Sequence, residues 1–101
     1  MIARLWRGRA KGANAAAYLH HFTETVTPEL KALAGHQSAW LLRREVEGET
    51  EFLAVTLWES LDSIQGFAGD AVETAIVEPQ ARAVLSSFDS FARHYEVAVK
   101  G

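Results

Sequence analysis

The chain has 101 residues, 49% of them hydrophobic, and a formal charge of −3 from 10 Lys and Arg against 13 Asp and Glu. That length makes one domain, residues 1–101, with enough apolar side chains for its own core. There is no cysteine, which excludes disulfides, thiolate metal sites and cysteine nucleophiles, and the interspersed charges offer no basic face to nucleic acid.

No apolar run approaches a membrane span and no signal-peptide core opens the chain, so the expectation is a cytoplasmic protein. Met1–Ala10 alternates, with Ile2, Arg4, Trp6 and Gly8 on one face and Ala3, Leu5, Arg7 and Arg9 on the other; it reads as the first strand. Lys11-Gly12 is a turn. Asn14 is placed to cap a helix from Ala15 to about Val26, whose apolar side carries Ala15, Tyr18, Leu19, Phe22 and Val26. Thr27-Pro28 either interrupts that helix or starts a second segment, Pro28–Leu33. Gln37–Glu47 and Thr50–Glu59 are the second and third strands, joined by a Gly48-Glu49 turn. A two-residue turn there sets Arg44 opposite Leu53, Leu42 opposite Val55 and Trp40 opposite Leu57. The other face pairs Leu41 with Thr56 and Ala39 with Trp58.

The third strand runs straight into a helix. Ser60 offers an N-cap oxygen, Asp62 places negative charge on the first turn, and Leu61, Ile64, Phe67 and Ala68 follow at helical spacing before Gly69-Asp70. Ala71–Val77 reads as a further short turn of helix. Pro79 opens an amphipathic helix bearing Ala81, Val84, Leu85 and Phe88. Asp89–Val99 is the fourth strand, with Phe91, Arg93, Tyr95, Val97 and Val99 on one face and Ala92, His94, Glu96 and Ala98 on the other.

The order β-α-β-β-α-β is the split βαβ of an α+β, ferredoxin-like sandwich with a four-stranded antiparallel sheet. It brings the first and last strands together antiparallel at the sheet centre. One register sets Arg4 opposite Glu96, Trp6 opposite His94 and Gly8 opposite Ala92. Both faces of the sheet carry more large apolar side chains than a monomer leaves in water. The expectation is therefore a homodimer whose second copy covers the face with Trp40, Leu42, Val55 and Leu57.

Several stretches together resemble the antibiotic biosynthesis monooxygenase-like proteins of the dimeric α+β barrel superfamily. They are Ile-Ala-Arg-Leu-Trp at 2–6, Pro-Glu-Leu at 28–30 with Ala-Gly-His at 34–36, Leu-Leu-Arg-Arg at 41–44, Leu-Trp-Glu-Ser-Leu-Asp-Ser-Ile at 57–64, Phe-Ala-Gly-Asp at 67–70 and Arg-His-Tyr-Glu-Val at 93–97. The resemblance implies a dimeric α+β barrel with a small-molecule pocket. The superfamily spans cofactor-free quinone-forming monooxygenases, haem-degrading monooxygenases, polyketide cyclases and a hydroxynitrile lyase. Trp58 matches the Trp that ends strand three in the cofactor-free enzymes, while Ala54 and Ile64 stand where those enzymes have Asn and Tyr. In the haem-degrading branch a Trp stands where this chain has Phe67, and the His ligand falls near Val77. Neither haem nor another cofactor is expected.

The candidate catalytic residues are His94, as a general base near neutral pH, and Tyr18, as its hydrogen-bond partner on the substrate. His94 has small neighbours, Ala92 and Ala98, that leave room for a cavity. Its alternative role is structural, bonded to Arg4, Glu96 or backbone. Trp58, Trp6, Phe22, Phe67 and His21 are the candidate substrate-binding residues, the alternative for the aromatic ones being ordinary core packing. Trp58 and His94 are expected to line one cavity between the sheet and the Tyr18–Val26 stripe. His20 is expected in solvent. Adjacent His20 and His21 lack the i, i+4 spacing of a metal pair, so no metal is expected. His36 reads as a loop or interface residue, and Glu59, Arg43, Arg44 and Arg82 as surface or rim charges. There is no nucleophile elbow and no Gly-rich phosphate loop. These features favour a cofactor-independent monooxygenase acting on a small apolar, aromatic or polyketide-like molecule. The rival is a non-catalytic small-molecule-binding or stress-response dimer; a lyase or cyclase would use the same pocket.

Overall fold

The computed structural model describes all of residues 1–101. β1 (Ile2–Ala10) leads into α1 (Asn14–His21), a π turn (Phe22–Val26) and α2 (Thr27–Lys31). β2 (His36–Val46) and β3 (Glu49–Trp58) form a hairpin, followed by α3 (Leu61–Ala68), α4 (Pro79–Val84), β4 (Ser87–Phe88) and β5 (Arg93–Glu96). The sheet order is β2-β3-β1, with β4 and β5 sharing the far side of β1, and every pairing is antiparallel. This is the α+β, ferredoxin-like arrangement expected, with one correction. β1 and β3 hold the centre, and the last strand is an edge. No helix is long and apolar enough to cross a membrane.

Proline does not stop the first helix. Pro28 has no N–H to give the carbonyl four residues back, and the helix absorbs this by widening. Thr27 N–H bonds to Phe22 O, five residues back, and the chain stays helical through Pro28 to Lys31. Ala13, not Asn14, is the N-cap, with no side-chain bond. The inward stripe turns slightly from its expected position, so that His21 is buried while Leu19 is exposed.

Both strand registers slip by two residues from the sequence expectation. In the hairpin, Glu47 and Gly48 carry the positive φ angles, 53° and 79°. That makes them the two central residues of a primed turn, whose twist matches the strands. The pairs become Arg44–Glu51, Leu42–Leu53 and Trp40–Val55. On the other side of β1, Ile2 faces Glu96 and Arg4 faces His94. The expected Arg4–Glu96 pair does not form.

The cause is a detour in the last strand. Gly8 pairs with Phe88 and Leu5 with Arg93, so four residues, Asp89–Ala92, oppose two on β1. The extra residues swing out to the 73–75 segment, where Ala92 N–H bonds to Glu73 O at 2.7 Å and Ala75 N–H to Ser90 O at 3.0 Å. Residues 71–77 are thus a turn and a bridge, Thr74 to Phe91, rather than a turn of helix. Phe88 lies in β4 rather than on α4.

The helix after β3 starts as expected, with Ser60 Oγ accepting from Ser63 N–H at 3.2 Å. Gly35 makes room for it. Its φ is +82°, and a Cβ there would lie 2.1 Å from Ser63 Oγ. The core divides in two. Tyr18, Phe22, Phe52, Ala10 and Ala81 pack together at one end, and Leu30, Trp58 and Ile64 at the other.

Candidate functional site

The even-numbered residues of β1 and β3 face the helices. Two of them, Ala54 and Thr56, are small, and they leave a space between the sheet and the α1–α2 layer. A cavity of about 110 Å³ occupies it. Arg4, Trp6, Ala54 and Thr56 form the floor on the sheet. Tyr18, His21, Phe22, Val26, Glu29 and Leu30 come from the helical layer, and Phe67, Ala75, Ile76, Val77, Glu78 and Ala81 close the side. An apolar cavity near 150 Å³ holds a benzene ring, so this space suits one ring of a ligand. The rest of a larger molecule would stand at the mouth.

Four of the seven residues expected at the site gather as aromatic wall: Trp6, Tyr18, Phe22 and Phe67 all line the cavity. Trp6 is fixed from behind, its Nε1–H donating to Asp89 O at 2.7 Å. Burial raises the Tyr18 hydroxyl above its ordinary range, so it is a donor at neutral pH. His21 also lines the cavity and is 8% exposed. Its Nε2 is buried without a hydrogen-bond partner, 3.9 Å from Glu78 Oε1. Glu78 titrates above the usual carboxylate range because of burial and then the like charge of Glu29, with His21 opposing.

The remaining two residues are placed differently. Trp58 is fully buried and does not line the cavity. It stands one layer behind, its Nε1–H on Thr56 Oγ1 at 2.9 Å and its ring 5.8 Å from Phe67. It supports two lining residues. His94 faces inward as parity requires but also stays outside the lining, because the two-residue slip sets it beside Arg4. Its Nε2 lies 2.8 Å from Arg4 Nη1. Burial first, and the Arg4 charge second, lower the His94 pKa against a smaller opposing effect of Glu73. A neutral imidazole accepting from Arg4 fits that environment.

Arg4 is thus a site residue absent from the sequence reading, as are Glu29 and Glu78. The signal for Arg4 was present: an arginine on the same strand face as Ile2 and Trp6. Arg4 is 5% exposed. Its guanidinium donates from Nη1 to Val72 O and from Nη2 to Thr74 O at 3.1 Å, and its Cζ lies 5.6 Å from the Phe67 ring centroid. Burial brings its pKa down to about 10, so it is charged at neutral pH.

The other polar candidates are peripheral. His20, Glu59 and Arg43 are exposed. His36 opens β2 with its ring edge-on to Trp58 at 5.1 Å, and burial lowers its pKa. Arg44 bonds Glu51 on the opposite sheet face at 2.8 Å. Arg82 covers Phe88 at 5.2 Å.

The family model for antibiotic biosynthesis monooxygenases matches residues 1–79. The chain belongs to that family. No curated protein matches it. Among solved structures it is similar to a mutant of SnoaB, a cofactor-independent oxygenase from Streptomyces nogalater, with a TM-score of 0.69 at 16% identity over 98% of this chain and 94% of that one. It is also similar to the heme-degrader MhuD from Mycobacterium tuberculosis, solved with two hemes in its active site, with a TM-score of 0.63 at 21% identity over 100% and 99% of the two chains. At such identities the likeness establishes the shared fold. Val77, at the position where the resemblance puts the haem ligand, presents only methyl groups to the cavity.

Proposed function

We propose that this family member is a cofactor-independent monooxygenase that oxidises a phenolic ring held in the cavity between sheet and helices. The observation that carries the reading is the make-up of that cavity. Its walls are aromatic and aliphatic, its size suits one ring, and an acid–base pair, His21 and Glu78, stands in its wall. The fold likeness to a cofactor-independent oxygenase agrees with it.

The substrate supplies the electrons. Overall, one phenol and one O2 give one quinone and one water. A ring carbon gains a C–O bond and gives up its hydrogen as a proton, and the second oxygen atom leaves in water. Of the residues present, Trp6, Phe22 and Phe67 hold the ring and keep water out. Tyr18 donates a hydrogen bond, and the His21–Glu78 pair accepts the ring proton. That role falls to His21 rather than His94, because His94 is engaged with Arg4 outside the cavity.

The same reading takes the chain as a homodimer. Its support is the outer sheet face, where Trp40 is 48% and Leu42 50% exposed beside Leu53, Val55 and Leu57. A twofold copy covers these side chains with others of the same kind.

The test is oxygen uptake by chelator-treated protein with a small phenol such as 1-naphthol. The expected result is one O2 consumed per quinone formed, with His21→Gln slower by at least 100-fold, the usual scale of a lost general base. Stoichiometric ring binding without oxygen uptake would replace this reading with a non-catalytic binding dimer.

A further inference from the structure

A charge is costly to remove from water, and a buried one normally has a counter-ion. Arg4 has none: the residue is 5% exposed and its guanidinium takes part in none of the chain's ion pairs. Its partners are neutral, namely two loop carbonyls and the His94 ring. Those contacts use both Nη1 hydrogens and one on Nη2. A guanidinium has five N–H groups, so the second Nη2–H and the Nε–H have no partner in the chain. Arg4 is one of the residues lining the cavity.

Resting on the reading of this cavity as a ring-binding site, we infer that its ligand is an aromatic anion, a phenolate or an aryl carboxylate, whose oxygen is held by Arg4. The other charged groups fix its orientation. His94 approaches Arg4 from β5, with Glu73 acting on His94 from the adjoining loop. His21 and Glu29 face the cavity from the helical layer, and Glu78 from the segment before α4. An anionic oxygen is repelled by the two carboxylates and drawn to the floor. The far side of the ring then faces the His21–Glu78 pair, where the oxidation proposed above needs its base. Burial lowers the Arg4 pKa only to about 10, so the cation persists at neutral pH. A guanidinium that served only to clamp Val72 and Thr74 would leave a ligand's ionisation untouched, and that separates the two roles.

The probe is 4-nitrophenol, whose phenolate alone absorbs in the visible. On the wild-type protein its apparent pKa should fall by one unit or more from the solution value. A fall of one unit means the phenolate binds ten times more tightly than the phenol. Arg4→Met should bind the ring and lose the shift. Should that variant fail to fold, Ala54→Phe, which fills the cavity beside the ring, should return the probe to its solution pKa. A bound probe with an unchanged or raised pKa would overturn the anion inference and leave the ring-binding reading standing. No binding by the wild-type protein would overturn both.

Discussion

The two faces of the sheet each bury a charged residue, and they treat it in opposite ways. On the outer face Glu51 is 7% exposed and held by Arg44 at 2.8 Å and Arg9 at 3.3 Å. The Arg44 hydrogen bond, outweighing burial, keeps its carboxyl below the usual range. On the inner face Arg4 is equally buried and meets only dipoles and an aromatic ring. A buried charge whose partners come from the chain itself ties strands together. One left without a counter-ion beside a cavity is prepared for a ligand. The apolar surfaces divide in the same way: the inner face is closed by its own helices except for a ring-sized space, and the outer face leaves Trp40 and Leu42 about half exposed.

The largest effect should come from the wall behind the cavity. Trp58→Ala removes a side chain with no exposure and should cost about 3–5 kcal/mol in chemical denaturation. It should also loosen Phe67 and Thr56 and weaken ring binding. A loss below about 1 kcal/mol would show that the inner face does not depend on this layer. On the outer face, Val55→Asp places a carboxylate between Leu5 and Trp40. Sedimentation should then show at least a tenfold weaker dimer, about 1.4 kcal/mol, with the inner cavity still binding a ring. An unchanged dimer would move the interface elsewhere.

Glu51→Gln sharpens the contrast between the two charges. It should cost about 1–2 kcal/mol, because a charged hydrogen bond is lost but Arg44 is partly in solvent. The pH dependence has a definite sign. The folded-state pKa of Glu51 is lowered, so its contribution is present above the unfolded value and is lost as pH falls through the folded one. Wild-type stability should therefore decline on the acid side more steeply than that of Glu51→Gln. Parallel acid profiles would show that Glu51 is not the group titrating. Smallest is the cap of α3: Ser60→Ala removes the oxygen that accepts Ser63 N–H and should cost about 1 kcal/mol by thermal denaturation, without changing ring affinity.

The faces were legible in the sequence and the registers were not, for one physical reason. Strand side chains alternate with period two, so a slip of two residues leaves every residue on its face and changes every partner. Trp6, Ala54, Thr56, Trp58 and His94 all lie inward as alternation requires. Yet Arg4 meets His94 instead of Glu96, and that contact keeps His94 out of the cavity lining. The slip beside His94 comes from the Asp89–Ala92 detour, where the turn-forming pair Asp89-Ser90 breaks an alternation that resumes only from Phe91 onward. The π turn was hidden in a similar way. Pro28 marks a disturbance, but only the packing of Tyr18, His21 and Phe22 decides that the helix widens rather than breaks. The Ser60 cap, a short-range signal, was read correctly because its geometry spans only four residues, Ser60–Ser63.

The central claim is that the inner face binds one aromatic ring in the space over Ala54. Calorimetric titration with phenol of the wild-type protein and of Ala54→Phe tests it most directly. The account predicts one phenol per chain for the wild-type protein, and none for the variant at an undiminished melting temperature. Equal binding by both proteins would place the ligand outside this cavity and contradict the account.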